Sequence, residues 1–423
     1  MNSVSLYVHI PFCLQKCDYC DFFSLPCKGV KDQYVQALVN EGKFYAKAYG
    51  IYSWKTLYAG GGTPSLLTPE QMAFLLEGLS SACPGKIQGE ATFELNPETV
   101  SPEKLLTLKE HGINRISLGV QSLCNKALSA INRHASLEKT LAGLEIVKNH
   151  WQGRLNLDMI AGLPGQSEEE FLSGLEKILA YNPDHISLYS LMIEEGTPLY
   201  DKIENGLEWD DDEADRQWLK GRDFLEKKGY HQYEVSNFAR NNDFSTHNLQ
   251  YWRQKNYIGI GSGASGSIYP FDLNETSEYG IRWTNSLNIE KYISFFAELD
   301  VDKLSKDDCI SLLVKDLSLE NASILPREKE KLNLSVMEEE FFMMGLRTLE
   351  GVNGEVYRKR YASLEPHYGS IEKRLGYEKN GLFYGLEKEG KAIRRKNPDN
   401  SFNYALTPEG ILFLNSILLE LME

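Results

Sequence analysis

No stretch of this chain approaches the ~20 consecutive apolar residues that a membrane-spanning helix requires. The nearest candidate, the C-terminal "ILFLNSILLELM", is too short, and its polar interruptions suit an amphipathic helix packed on a core. The opening "MNSVSLYVHIPF" has neither the basic region nor the apolar stretch of a secretory leader. An excess of positive charge is missing too. The formal net charge of −15 argues against broad nucleic-acid binding, which leans on Lys and Arg to neutralise phosphates. Outside one cluster, cysteine is sparse: Cys27, Cys83, Cys124 and Cys309 are scattered, which is not the density of a disulfide scaffold. These absences lead us to expect a soluble, cytoplasmic protein with no nucleic-acid partner and at most a peripheral membrane contact.

What is present is a repeating pattern. The 423 residues, 42% of them apolar, suffice for a large core and two or three domains. Short β-type runs, "SLYVHI", "KTLYAGG", "ATFELN", "NRISLGV", "RLNLDMIAGLP" and "HISLYSL", alternate with stretches of helical spacing such as "LEKTLAGLEIVKNH". Six β–α units predict an α/β fold, either a full or partial TIM-like barrel or an open doubly wound sheet. Polar residues gather where these strands end: the cysteine loop after the first, "GGGTPS" after the second, then Glu94, Gln121, Asp158 and Tyr189. In a barrel such ends face one mouth, where active sites are built.

The expected division is a barrel core over 1–208, a barrel-completing segment over 209–285 and a smaller, mainly helical domain over 286–423. In the last, "LEKEGKAIRRKNPDNSFNYAL" reads as strand, basic loop and strand, which with the flanking helices resembles a winged helix. The basic loop (Lys388, Lys391, Arg394, Arg395, Lys396) reads as a solvated hairpin tip. Thr407 and Pro408 suit the N-cap and first turn of a closing helix.

"CLQKCDYC" places Cys13, Cys17 and Cys20 within eight residues. Two chemistries use such spacing. Structural zinc needs four ligands, and His9 could supply the fourth, although the strand's alternation need not aim it at the loop. An iron–sulfur cluster takes thiolates, and three cysteines on four irons leave one iron open to a small molecule. The spacing favours the cluster and leaves zinc open.

The cysteine loop followed by "GGGTPS" resembles the radical S-adenosylmethionine superfamily. Along residues 4 to about 270, "SLYVHIPFCLQKCDYCDF", "YAGGGTPSLL", "FELNPET", "ISLGVQS", "NLDMIAGLPGQ", "HNLQYW" and "GIGSGAS" resemble its coproporphyrinogen III oxidase-like branch. Within that branch the resemblance is closest to the heme chaperones of HemW type. The resemblance implies a partial TIM-like (β/α)6 barrel with a winged-helix-like C-terminal domain, and a [4Fe-4S] cluster on Cys13, Cys17 and Cys20. It implies an S-adenosylmethionine pocket of Tyr7, Tyr19, Gly61, Gly62, Thr63, Glu94, Gln121, Arg133, Asp158 and Met192. Glycines in that role would let backbone N–H groups approach a carboxylate.

Two features separate the siblings in the branch. The oxidases carry a fourth cysteine two places after the third, where this chain has Phe22, and a longer segment before the loop than the twelve residues found here. "HNLQYW" resembles the chaperones' heme-binding pattern, implying His247 as axial ligand and Tyr251 and Trp252 as flat apolar surface. By residue type alone, the same pattern reads first as a capping histidine above a small aromatic core. Two positions depart from the family: Ala264–Ser265 where relatives often have Ala–His, and "INRHAS" around Arg133. "GSGASG" formally fits a dinucleotide-binding fingerprint, but the turn-rich "SIYPFDLNETSEYG" that follows does not open a helix. The implied role is delivery of heme to acceptor proteins, with respiratory enzymes as candidates. The implied alternative is decarboxylation of coproporphyrinogen III through a 5′-deoxyadenosyl radical. The sequence leaves open whether S-adenosylmethionine is cleaved.

Overall fold

A computed structural model describes residues 3–272, 279–318, 323–364 and 369–422. All six expected strands form: β1 (Ser3–Ile10), β2 (Ser53–Gly61), β3 (Ala91–Leu95), β4 (Arg115–Gln121), β5 (Arg154–Ala161) and β6 (His185–Ser190). They pair in parallel in chain order. Each is followed by a helix on the outer face: α1 (Asp32–Tyr49), α2 (Pro69–Ser81), α3 (Pro102–Glu110), α4 (Leu137–His150), α5 (Glu168–Leu179) and α6 (Asp211–Lys227). Thr68, Ser101, Ser136 and Ser167 cap four of these helices by accepting a backbone N–H in the first turn. Thr68 and Ser167 complete capping boxes with Gln71 and Glu170.

The sheet runs on at both ends. Asn237–Ala239 and His231–Gln232 add antiparallel beyond β6. Tyr257–Ile260 pairs in parallel with β1, and Ser265–Ile268, Gly280–Asn285 and Arg327–Leu332 follow antiparallel, giving twelve strands in an open series. "GSGASG" is therefore the link between two strands rather than the start of a helix.

Side chains alternate along these strands. One face carries Leu6, Val8, Leu57, Phe93, Ile116, Leu118, Leu157, Ile186 and Leu188, all in the large core that lies between sheet and helices. The other face carries Ser5, Tyr7, Thr56, Tyr58, Glu94, Ser117, Asn156, Asp158, His185 and Ser187, which fill the hollow of the barrel with polar groups.

The division of the two cores falls near residue 332. Tyr292, Phe296, Cys309, Leu313 and Leu325 belong to the barrel core, although the sequence reading groups them with the C-terminal domain from residue 286. What ties them there is charge. Asp316 and Arg327 are fully buried and doubly bonded, at 2.7 and 3.0 Å. Arg327 also donates to the Tyr45 hydroxyl on α1 at 2.9 Å.

The second core gathers Met337, Phe341, Phe342, Tyr357, Tyr361, Tyr404 and the apolar face of Leu414–Met422. A three-stranded antiparallel sheet completes it, and Thr407 and Pro408 start the closing helical turn as expected. The basic residues differ from expectation. Arg394, Arg395 and Lys396 lie on the strand Ala392–Lys396, and Lys388 ends a helix, so the hairpin tip is Asn397–Ser401 instead. The guanidinium of Arg394 lies over the Tyr377 and Phe402 rings, packing that a solvated loop would lack.

The C-terminal domain meets the barrel at several points: Val235 N donates to Arg347 O at 3.1 Å, Leu349 N to Tyr233 O at 2.9 Å, and Arg253 and Arg282 pair with Glu350 and Glu340. Gln254 donates to Met337 O at 2.6 Å and accepts from the Tyr361 hydroxyl at 2.7 Å. Among the described residues no helix is long and apolar enough to cross a membrane.

Arg327→Ala leaves the buried Asp316 carboxylate with only Lys329, 3.8 Å away and not hydrogen-bonded to it, as cation, so it should lower stability by about 3 kcal/mol. Urea unfolding followed by circular dichroism measures the loss; a change below about 1 kcal/mol would place the pair among marginal surface contacts.

Candidate functional site

The loop after β1 is pinned from beneath and from both sides. His9, at the end of β1, takes the Tyr7 hydroxyl on Nδ1 at 2.8 Å and meets Phe23 O through Nε2 at 3.0 Å. A carbonyl only accepts, so Nε2 carries the proton and Nδ1 the lone pair. Both nitrogens are engaged in holding the loop, so His9 is not a fourth metal ligand. Cys27 N donates to Cys13 O at 2.7 Å, and Asp18 N to Ile131 O at 3.0 Å. Lys202 pairs with the Asp18 carboxylate at 2.5 Å. Cys20 N donates to Cys17 O at 3.1 Å, a turn that holds two of the thiols in one short bend.

Cys13, Cys17 and Cys20 all face one cavity of about 420 Å³ at the C-terminal ends of the strands. Burial pushes the Cys17 thiol up, while the neighbouring Arg133 guanidinium pulls it back. That guanidinium donates to Cys17 Sγ at 3.5 Å, to Asn96 Oδ1 at 2.9 Å and to Gly119 O at 2.8 Å. Its Nε, buried at the site, has no partner. Thr63 Oγ1 donates to Cys13 Sγ at 3.5 Å.

The glycine loop has a different cause from the one expected. Gly61 N donates to Glu94 Oε2, Gly62 N to Ile10 O and Thr63 N to Phe12 O. These N–H groups are spent inside the protein and do not form a cradle for a carboxylate. The glycines are required by close approach: a Cβ on Gly61, whose φ is +108°, would stand 2.4 Å from the His9 ring. One on Gly62 would stand 2.7 Å from the Phe12 backbone, and one on Gly60 2.9 Å from the Glu94 carboxylate.

Tyr19, Gly61, Gly62, Thr63, Glu94, Gln121, Arg133, Asp158 and Met192 all line the cavity with the cysteines. Tyr7 does not. It lies a layer deeper, bonded to His9 and stacked on Tyr58. Tyr58, Asn96, Ser117 and Phe22 line the cavity without having been singled out for the pocket. The signal for Tyr58 and Ser117 is the period-2 placement of polar residues on the strands.

Glu94 accepts from the Tyr58 hydroxyl at 2.6 Å, and burial pushes its carboxyl up to about 7 against that hydrogen bond. Asp158 is also raised by burial, opposed by hydrogen bonds from Ser187, Ser117 and Asn156.

The heme-type motif lies elsewhere. "HNLQYW" is the body of a helix, Thr246–Trp252, capped by Ser245. Glu90, just before β3, binds its N-terminal end, accepting from Thr246 N and His247 N at 3.0 Å each. The helix therefore closes the barrel at the N-terminal ends of the strands, as a floor opposite the cysteine loop. His247 is 0% exposed, and both its ring nitrogens are occupied, by Thr56 Oγ1 at 2.8 Å and the Tyr251 hydroxyl at 2.7 Å. Tyr251 and Trp252 are half-buried. The plain reading of the pattern, a histidine packed with aromatics, describes this arrangement. Axial ligation by His247 is not realised in it.

An open parallel barrel whose first loop carries three thiols, above a rim of buried carboxylates and an arginine, defines a radical S-adenosylmethionine scaffold. Residues 7–178 match the Radical SAM superfamily. Coproporphyrinogen III oxidase (HemN) from Escherichia coli, as solved, shares the fold, with a TM-score of 0.71 at 19% identity over 99% of this chain and 90% of that one.

Heme chaperone HemW from Lactococcus lactis is 33% identical over 91% of this chain and 93% of its own length. HemW from Escherichia coli is 40% identical over 63% of this chain and 71% of its own length. The mouse mitochondrial radical S-adenosyl methionine domain-containing protein 1 is 38% identical, and the matched part spans 62% of its length. The chain belongs to the HemW family of the radical SAM superfamily.

Membership implies a [4Fe-4S] cluster and S-adenosylmethionine, and the residues fit them. Three thiols share one cavity with a cation beside the most buried of them, and the unpartnered Arg133 Nε and two carboxylates remain for a zwitterionic ligand.

A ligand donor seated on Glu94 would need it as carboxylate, and S-adenosylmethionine affinity should then rise with pH and level off above about 7. Glu94→Gln should flatten that dependence and weaken binding about tenfold at pH 8, the scale of one charged hydrogen bond. Equilibrium dialysis across pH measures both, and a pH-dependent Gln variant would remove Glu94 from this role.

Proposed function

We propose that this chain is a heme chaperone: it binds heme as cargo and passes it to acceptor proteins, with respiratory heme enzymes as the candidate class. The observation that carries the reading is near-full-length similarity to a protein named as a heme chaperone, extending through the floor helix and the C-terminal domain. In this reading Cys13, Cys17 and Cys20 hold the cluster as thiolates, with Arg133 offsetting negative charge at Cys17. Bound there, a [4Fe-4S] cluster supplies a low-potential electron and an open iron for the amino and carboxylate groups of S-adenosylmethionine. Glu94 and Asp158 accept hydrogen bonds from the ligand's ammonium or ribose hydroxyls. Arg133 offers its remaining Nε–H to a carboxylate, and Met192 and Tyr19 supply apolar wall. The work is assigned to the cytoplasm.

The second reading, oxygen-independent decarboxylation of coproporphyrinogen III, is favoured by the shared fold. Against it stands Phe22, 69% exposed at the cavity where the oxidases carry their fourth cysteine.

Anaerobically reconstituted protein, given S-adenosylmethionine, a low-potential reductant and coproporphyrinogen III, should keep its cluster and show no decarboxylation while a control oxidase turns over. The same preparation should bind hemin. Substrate-dependent decarboxylation over many turnovers would establish the oxidase instead.

A further inference from the structure

One side chain at the rim serves two of the thiols at once. Asn96 stands just past β3, and its backbone alone makes the turn there. Its N–H donates to Ser65 Oγ at 3.1 Å, and its carbonyl accepts from Thr99 N and Thr99 Oγ1 at 3.0 Å each. The side-chain amide is not needed for that turn and lines the cavity beside the cysteines.

Chemistry fixes which way the amide faces. A guanidinium only donates, so Asn96 turns its oxygen to Arg133, whose Nη2 donates to Oδ1 at 2.9 Å. The amide nitrogen then faces the other way and donates to Thr63 Oγ1 at 3.0 Å. Thr63 is thereby an acceptor toward Asn96, and its own proton goes to Cys13 Sγ at 3.5 Å. The same guanidinium donates through Nη1 to Cys17 Sγ at 3.5 Å, with Gly119 O holding it from a further side at 2.8 Å. Cys20 is served differently: burial pushes its thiol up, and a hydrogen bond from the Phe22 backbone opposes this.

We propose that Asn96 is a positioning residue for the thiolates that would hold the cluster: its amide aims the Thr63 hydroxyl at Cys13 and steadies Arg133 beside Cys17. Hydrogen bonds to ligating sulfurs help set a cluster's potential. They favour the reduced form, which carries one more negative charge, so Asn96 raises the potential through two side chains that touch sulfur while touching none itself. The inference rests on the cluster and is independent of whether heme is the cargo.

The full chain, reconstituted anaerobically and titrated against potential with electron paramagnetic resonance as readout, tests this. Asn96→Leu, close in size but without hydrogen bonds, should keep its iron and sulfide yet lower the potential. The ratio of reduced to oxidised cluster at a fixed potential should fall about five- to tenfold, the scale of one or two hydrogen bonds, tenfold being about 59 mV for one electron. Thr63→Val should move the potential the same way, and the double variant should shift by less than the sum, because both changes remove one hydroxyl's contact with Cys13. An unchanged potential in Asn96→Leu, or strict additivity with Thr63→Val, overturns the proposal.

If Asn96→Leu fails to assemble a cluster, Asn96→Asp decides. It keeps an oxygen for Arg133 but has no N–H, and its carboxylate takes the Thr63 proton away from Cys13. In the unaltered protein the iron–sulfur stretching bands of the resonance Raman spectrum should shift between H2O and D2O. Thr63→Val and Asn96→Asp should each lose the same part of that shift. No isotope shift, or one that Asn96→Asp leaves whole, overturns the role of Asn96. Unaltered protein that assembles no cluster overturns the cluster assignment and this inference with it, an outcome that hemin binding does not affect.

Discussion

The structure depends on the obligation of buried polar groups to find partners. Six parallel strands aim polar side chains into a hollow, and each such group left without a hydrogen bond would cost on the order of 1–3 kcal/mol. The hollow therefore fills with an ordered network. Near the floor, Ser5, Thr56, His247 and Tyr251 are joined in sequence. Across the middle, Asn156 donates to Ser117, Asp158 and Ser187 and meets His185 Nδ1 through its own oxygen at 2.6 Å. At the rim the network runs short of protein partners. Arg133 Nε is unsatisfied, and the Glu94 and Asp158 carboxyls are held above their ordinary range. The rim is thus an open end of this network, although deeper in the barrel Thr92 Oγ1 and Arg115 Nε are also without a partner.

Floor and rim are consequently not independent. Tyr58 donates to Glu94 at the cavity, and its ring lies 5.2 Å from that of His247 in the floor. On the other side, Asp158 connects through Asn156 and His185 to the Tyr233 hydroxyl, which receives Ser245 N at the start of the floor helix. Two routes through named hydrogen bonds and one ring contact join the carboxylates to the N-terminal turn of one short helix.

Much of this was legible in the sequence. The six strands announce themselves through apolar runs of the right length, and the cysteine spacing belongs to the loop by chemistry alone. Nine of the ten pocket residues carried over from the family line the cavity, all but Tyr7. What was not legible concerns partners distant in the chain. Nothing near "HNLQYW" says that Glu90 and Thr56, more than 150 residues earlier, bind that helix and turn it inward. Nothing near "GGG" says that His9 and Phe12 occupy the space a side chain would need. The basic hairpin misled because charge suggests a loop, whereas Arg394 is held in a strand by two aromatic rings. The period-2 polar pattern of the strands was visible but is unusual for buried parallel sheet, where near-continuous apolar runs are the rule.

The grip of Gln254 on Met337 and Tyr361 has a mechanical meaning. Gln254 stands two residues beyond the floor helix, so the C-terminal domain holds that helix by its tail as a hand holds a lever. A displacement of this domain would reach the floor helix from its C-terminal end, by a path that passes through neither the cysteine loop nor the cavity.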